Sequence, residues 1–310
     1  NNQMYDLALS VEACLRANTR TDIAWLISSE FFKNMQVSDS IALTQGGGRV
    51  GSVADGVFDG QIQDIAEREL SKGRIVNLSV GPLEASISKL PLNSKAKFAV
   101  APATQFPKEL WKILLARKSV AIIVHQNDSV IEKIEIYSQE DIVKAPAAIQ
   151  ELFLTGDSKI VEQDNLLITI LRPIPKLIIA GMGPIATALQ KNAQLLGWQV
   201  TVDPRPDNVK GHVANLSSID SVVIMGHDVE QSSTNLAAAL ESKAGYIGAL
   251  GSRAMQESRA TWLITFKDIS DISRVHGPAG LSIGAANPSE IAVSILAQAI
   301  SVHRANLKQE

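Results

Sequence analysis

The chain of 310 residues contains one cysteine, Cys14. A lone thiol excludes a disulfide framework and any metal site built from several cysteines. Neither sign of charge is in excess: 29 Lys and Arg stand against 32 Asp and Glu, for a net charge of −3. A nucleic-acid-binding protein would carry a basic stripe, so no nucleic-acid partner is expected. No apolar run approaches the ~18–20 residues of a membrane span, and no membrane partner is expected either. The N-terminal stretch lacks the basic-then-apolar order of a signal peptide, which points to the cytoplasm. The five histidines are His125, His212, His227, His276 and His303. They form no short ligand spacing, so no metal site is expected. Internal repeats and low-complexity segments are absent as well.

The sequence does have length and alternation. A chain this long suits about two domains of ~100–200 residues and can bury a core without cross-links. Residues 5–17 place Leu7, Val11, Cys14 and Leu15 on one helical face, so Cys14 is expected inside a core. Strands are predicted at 22–28, 39–45, 74–80, 95–101, 119–125, 130–137 and 165–171, with a turn-like break at 30–38. One helix is predicted with Ile62, Ile65, Ala66 and Leu70 on one face, ended by Gly73. A short helix is predicted at 107–117. The run Arg172-Pro173-Ile174-Pro175 reads as a linker and divides the chain into domains 1–172 and 173–310. Beyond it, strands at 176–180, 198–203, 221–225, 244–250 and 273–278 alternate with helices at 186–197, 231–242, 252–263 and 287–302. This alternation predicts an α/β protein: a C-terminal Rossmann-like doubly wound parallel sheet covered on both faces, preceded by an N-terminal α/β domain.

Residues 181–186, GMGPIA, spell a G-x-G-x-x-A turn between a predicted strand and a predicted helix. A second strand then ends in Asp203, 22 positions after Gly181, close to the ~20 of a dinucleotide fingerprint. Gly181 permits a tight turn, Gly183 lets backbone approach a pyrophosphate, and Ala186 lets the helix lie close on the strand. Pro184 suits a first helical turn. The helix N-terminus attracts phosphate. Asp203 is placed to accept hydrogen bonds from a ribose, and Arg205 to contact a 2′-phosphate, so NAD and NADP both stay open. The same pattern also serves a doubly wound domain whose nucleotide site is vestigial.

Six of the chain's twenty glycines fall between Gly46 and Gly60. Gly46, Gly47 and Gly48 offer bare backbone to an anionic ligand. Arg49 adds a fork of donors, Ser52 a hydroxyl, and Asp55 and Asp59 acceptors. The bland alternative is a hairpin loop. A Walker A loop is excluded, because no Lys-Ser/Thr pair follows the glycines. In the Gly-Ser-Arg run at 251–253, Ser252 is placed to cap a helix and Arg253 to reach a phosphate, with a plain structural role as the alternative. GLSIG at 280–284 has the nucleophile-elbow spelling. The acid and histidine of a hydrolase must follow the serine, and only Glu290 and His303 do, so hydrolase chemistry is not expected. Asn287-Pro288-Ser289-Glu290 reads instead as an N-cap with its capping glutamate. No residue is singled out as catalytic.

Together these motifs resemble the XdhC/CoxI family, the accessory proteins of xanthine dehydrogenase-type molybdenum enzymes. In the first domain GGGRVGSVADGVFDG is similar to the family's G-S-V-S-G-G-C-V-E segment. In the second, LIIAGMGPIATAL, VTVDPRP, VIMGHD, GYIGALGSR and GPAGLSIGAANPSEIAVSILAQAI carry the likeness. The resemblance implies a protein that binds molybdenum cofactor (molybdopterin), shelters it while its sulfido ligand is installed, and delivers it to an apo-hydroxylase. It implies a homodimer, with that hydroxylase and a cysteine desulfurase as partners, and a maturation factor in place of a catalyst. The departures are specific. Val57 stands where the family has the cysteine of G-G-C, Asp55 replaces a glycine, and Asp59 replaces the glutamate. A second family cysteine has no counterpart between residues 80 and 100. The family's G-S-x-P-R segment is absent around 26–38. Pro184 replaces a frequent histidine and Ser282 a frequent aspartate. A thiolate holds soft sulfur and molybdenum species and valine does not. The scaffold reads as retained and the thiol chemistry as lost. Two other functions stay open: an NAD(P)-binding oxidoreductase of unspecified substrate, and a non-catalytic regulatory paralogue.

Overall fold

The computed structural model describes residues 4–30 and 39–308. The turn-like break predicted at 30–38 therefore lies almost wholly outside the described residues, as does most of 26–38. The chain divides into two compact units, 1–173 and 174–310. Among the described residues no helix is long and apolar enough to cross a membrane.

The first unit runs α1 (Ala8–Arg16), β1 (Thr21–Ser29), β2 (Ser40–Thr44), β3 (Arg49–Gly51), α2 (Asp59–Ala66), β4 (Arg74–Ser79), α3 (Pro82–Ser88) and β5 (Lys95–Pro102). It continues through α4 (Glu109–Leu115), β6 (Val120–Asn127), β7 (Val130–Ser138), α5 (Ala147–Phe153), β8 (Lys159–Gln163) and β9 (Leu166–Leu171). The strands form one sheet in the order β3-β2-β1-β5-β4-β7-β6-β9-β8, with every neighbouring pair antiparallel. Period-two alternation explains why the central strands are apolar throughout: successive side chains point to opposite faces. Ile23 and Trp25 of β1 pack with Val11, Leu110 and Trp111 from α1 and α4. Ala24 and Leu26 pack with Phe58 and Ile62 at α2 on the other face. A further core at α5 holds Phe153 and Ile149 against Ile123 and Ile168.

Two expectations are corrected here. The second helix stops at Ala66, short of Leu70 and Gly73. Its end tightens through bonds from Arg68 N–H to the Ile65 carbonyl and from Glu69 N–H to the Ala66 carbonyl, and Glu69 then turns left-handed at φ +50°. Gly73 instead sits where a Cβ would lie 2.5 Å from the Val100 carbonyl, so it permits close backbone approach. Cys14 is only half-buried on α1; the face buried beneath that helix is Leu7 and Val11.

The second unit runs β10 (Lys176–Ala180), α6 (Pro184–Leu195), β11 (Gln199–Val202), α7 (Pro206–Val213), β12 (Ser221–Ile224), α8 (Val229–Glu241), β13 (Tyr246–Ala249), α9 (Arg253–Lys267), β14 (Val275–His276) and α10 (Pro288–Leu307). Every strand pair is parallel. The order is β11-β10-β12-β13-β14. The helices cover both faces, as the alternation of the sequence predicts. Ala186, Leu189 and Ala193 of α6 pack with Ala292, Ile295 and Leu296 of α10. Val209, Leu236 and Leu263 of α7, α8 and α9 fill the opposite side.

Candidate functional site

In this strand order the chain moves from β10 outward to β11, then returns across β10 to β12. The reversal opens a crevice between the loops that follow β10 and β12, the position where open parallel sheets take ligands. The loop after β10 is the glycine turn. A Cβ on Gly181 would lie 1.9 Å from Met225 Cγ, so this glycine makes room for the side chain that ends β12. That reason differs from the tight turn the sequence suggests. Gly183 has φ +114° and ψ −172°, a conformation that is essentially glycine's alone. Nothing lies within 4 Å of where its Cβ would be, so the backbone faces open space. Pro184 opens α6, and no side chain caps that helix. By contrast Asp228 caps α8, accepting from Gln231 N–H at 2.8 Å. Ser252 caps α9 from Met255 N–H at 3.2 Å, and Asn287 caps α10 from Glu290 N–H at 3.0 Å. The first-turn N–H groups of α6 are thus left to the crevice.

At the end of β11 lies Asp203, whose N–H donates to the Ile179 carbonyl. Its side chain is almost fully covered and its two oxygens are saturated. Oδ1 accepts from Arg205 N–H and Nε, both at 3.0 Å. Oδ2 accepts from Arg205 Nη2 at 3.1 Å and Asn208 Nδ2 at 2.8 Å. These donors hold the carboxyl far below the usual carboxylate range. A ribose hydroxyl would have to displace one of them. Arg253 is exposed and pairs with Glu257 at 3.6 Å, a surface pair of little energetic weight. His227, not singled out for this site from sequence, lies exposed in the loop after β12.

Beneath the loops after β12 and β13 is a residue that sequence reasoning missed, Arg259 of α9, with 1% of its surface exposed. Nε donates to Ser232 Oγ at 3.0 Å, Nη1 to the Leu250 carbonyl at 2.6 Å, and Nη2 to the Gly226 carbonyl at 3.1 Å. Burial pulls its pKa down. The α9 pattern offers no signal for it, because an arginine between Ser258 and Ala260 reads as a solvated position.

In the first unit Gly46, Gly47 and Gly48 form the loop of the β2–β3 hairpin, in which Leu43 pairs with Arg49. Gly46 and Gly47 both have φ +84° and line a cavity of about 400 Å³ shared with Arg20, Asp22, Gln63, Glu67 and Glu69. Arg20 is bound to Asp22 through two hydrogen bonds at 2.9 and 3.1 Å. Arg49 donates to Asp59 Oδ2 at 2.8 Å. Carboxylates outnumber cations along this wall, so its charge does not favour an anion. Ser52 is half-buried beyond β3. Val57 packs into the core beside Phe58 and Ile62.

The serine of GLSIG lies on the exposed loop between β14 and α10, away from any strand-to-helix elbow. Glu290 reaches back past the Asn287 cap, its Oε2 accepting from Ala286 N–H at 2.7 Å. His303 Nε2 lies 2.8 Å from Ser221 Oγ at the start of β12, at the end of the strands opposite the crevice.

Comparison with known proteins bears on the second unit. Residues 177–299 match the XdhC Rossmann domain. The uncharacterized protein YqeB of Escherichia coli strain K12 is 27% identical over a stretch covering 41% of this chain and 27% of that protein. The chain thus spans about a quarter of the curated relative's length. A solved structure described as a xanthine dehydrogenase from Bacillus halodurans is similar over 96% of each chain at 21% identity, with a TM-score of 0.47. That likeness is too loose to assign anything. The match places an XdhC Rossmann domain in the second unit of the chain.

Proposed function

We propose that the chain is an accessory factor for maturation of a xanthine dehydrogenase-type molybdenum hydroxylase, and that it binds molybdenum cofactor or a related nucleotide. The carrying observation is the open, uncapped glycine turn at the switch point of an XdhC Rossmann unit. The residues there suit the anionic end of such a ligand: bare backbone at Gly183 and first-turn N–H groups of α6 that no side chain caps. They do not suit its sulfur chemistry. Val57 is packed in a core, and Cys14 sits on α1 of the first unit. The reading therefore gives this chain a holding role and leaves sulfur transfer to a partner thiol. It includes a homodimer in the cytoplasm, with the apo-hydroxylase and a cysteine desulfurase as partners.

The test mixes the purified chain with molybdenum cofactor released from a donor enzyme. Retained molybdenum is measured by elemental analysis after gel filtration, and the loaded chain is then added to apo-hydroxylase. Co-elution near one cofactor per chain and gain of hydroxylase activity support the reading; failure of both removes it. The open glycine turn also favours a second reading, an NAD(P)-binding oxidoreductase, in which a ribose hydroxyl displaces a donor from Asp203. Calorimetric titration with NAD and NADP, followed by a substrate screen, separates the two. Nucleotide binding without turnover favours the accessory role. Activation of a hydroxylase only alongside a cysteine-bearing relative would favour the regulatory paralogue.

A further inference from the structure

Arg259 is a guanidinium buried to 99% in the second unit. Its partners are all neutral: one hydroxyl and two main-chain carbonyls. Among the described residues no carboxylate pairs with it. Asp228, the nearby acid of the loop after β12, is engaged in capping α8. A buried charge without a counter-ion is costly, and proteins ordinarily pair it or replace it with an apolar side chain.

The position of the acceptors gives the charge a use. Gly226 follows Met225, whose N–H donates to the Ala180 carbonyl beside the glycine turn. The carbonyl that Arg259 holds therefore belongs to the loop forming the β12 wall of the switch-point crevice. Leu250 precedes Gly251 and the Ser252 cap, so the second held carbonyl fixes the neighbouring loop. A Cβ on Gly251, which has φ +138°, would lie 3.3 Å from Arg259 Nη1. The guanidinium lies directly beneath backbone, with water excluded. In such surroundings a charge acts over longer distances than it would in solvent.

We infer that Arg259 is a positioning and electrostatic residue for an anionic ligand at the switch point: it fixes the loops after β12 and β13, and its charge is completed by a pyrophosphate-type group bound above them. The inference rests on the nucleotide reading given above and deepens it. It commits the site to a ligand carrying at least two negative charges at the crevice, and it separates the cation that attracts that ligand from the exposed Arg205 and Arg253.

The test uses the full chain and two probes, ADP and adenosine, which share a nucleoside and differ in the charged group. Affinities are measured by calorimetry for the wild type, Arg259→Met and Arg259→Lys. The wild type is expected to prefer ADP. Arg259→Met should weaken ADP binding by at least tenfold and leave adenosine within about threefold. Arg259→Lys, which keeps the charge and loses the three-way bridge, should retain most of the ADP preference. A staple without electrostatic function would weaken both probes together, so equal losses in Arg259→Met overturn the inference while the nucleotide reading stands. If Arg259→Met does not fold, the ADP-to-adenosine ratio in Arg259→Lys decides: a ratio collapsed to unity overturns the inference. Wild-type protein that binds neither ADP nor inorganic pyrophosphate would remove the inference and the nucleotide reading together.

Discussion

Gly181 and Gly183 lie two residues apart in one turn, yet the structure gives them different reasons to be glycine, and substitution separates those reasons. A Cβ on Gly181 would lie 1.9 Å from Met225 Cγ and 3.2 Å from its Cβ. Gly181→Ala must therefore push Met225 out of place, an overpacking cost of about 1–3 kcal/mol. Met225→Ala alone removes a buried side chain and is expected to cost about 2–5 kcal/mol. In the double variant the new methyl enters the space the methionine vacates. The combined loss should then fall short of additivity by about 1–2 kcal/mol, within the range measured for contacting pairs. Gly183→Ala is the control. No atom lies within 4 Å of its Cβ position, so its cost is backbone strain at φ +114°, about 1–3 kcal/mol, and Met225→Ala should not relieve it. Urea unfolding followed by tryptophan fluorescence suits the assay, since Trp25 and Trp111 report on the first unit and Trp198 and Trp262 on the second. Two units call for a check on coincident transitions before any free energy is assigned. For a domain of roughly 140 residues each kcal/mol corresponds to a Tm change of about 3–4 °C. Additivity of Gly181→Ala and Met225→Ala within about 0.5 kcal/mol would refute the packing argument.

Other perturbations are simpler. Asn287→Ala removes the cap of α10 and should lower stability by about 0.5–2 kcal/mol in urea melts, with Asn287→Gly costing less. Tyr246 Oη donates to Gln298 Oε1 at 2.6 Å, and the same oxygen accepts from Gly280 N–H at 2.8 Å. Tyr246→Phe should therefore cost about 0.5–1.5 kcal/mol while leaving the Gly280 contact in place, readable as retained amide protection in hydrogen exchange. Burial holds the His303 imidazole below its ordinary pKa, against a smaller upward pull from the Ser218 carbonyl. Its neutral form is thus favoured by folding. The contribution is fully present above the unfolded value of about 6.5 and is lost as pH falls below it. His303→Gln should flatten the fall in Tm between pH 7 and pH 5, and an unchanged slope would assign that fall to other groups.

The second unit is legible in the sequence because its signals are local. KLIIA is a continuous apolar run of the kind a strand covered on both faces requires. The glycines, Pro184 and Ala186 punctuate the turn that follows, and Asn287 with Glu290 marks the last helix. Elements without such signals are missed: α7 carries Pro206 and Gly211, and α3 and α5 are helices of only seven residues opened at Pro82 and Pro146. The β8–β9 hairpin has a readable mark in Asp164-Asn165, with Asp164 at φ +54°. Side-chain commitments are harder to read. Asp203 stands where a ribose-binding acid belongs, and the Arg205 backbone that bonds it is only two residues away. Yet that turn, combined with Asn208 from α7, fills a carboxylate that the spacing rule treats as free.

Charge decides what composition leaves undecided about the two glycine-rich loops. Read as strings, GGGRVG and GMGPIA both offer bare amides, and the first has the better credentials because it carries an arginine. In the fold the arginine of the first loop loses that advantage. Arg49 is spent on Asp59, and the cavity beside Gly46 and Gly47 draws Asp22 from β1 and Glu67 and Glu69 from just beyond α2. On the reading proposed above, the cation for the second loop comes from α9, more than 70 residues downstream, through a side chain that touches only backbone and a hydroxyl. Bare amides are necessary for close approach of an anion, but they are common in any tight turn. The net sign of the buried charge around them separates an anion site from a hairpin, and that sign is set by tertiary contacts which no local pattern encodes.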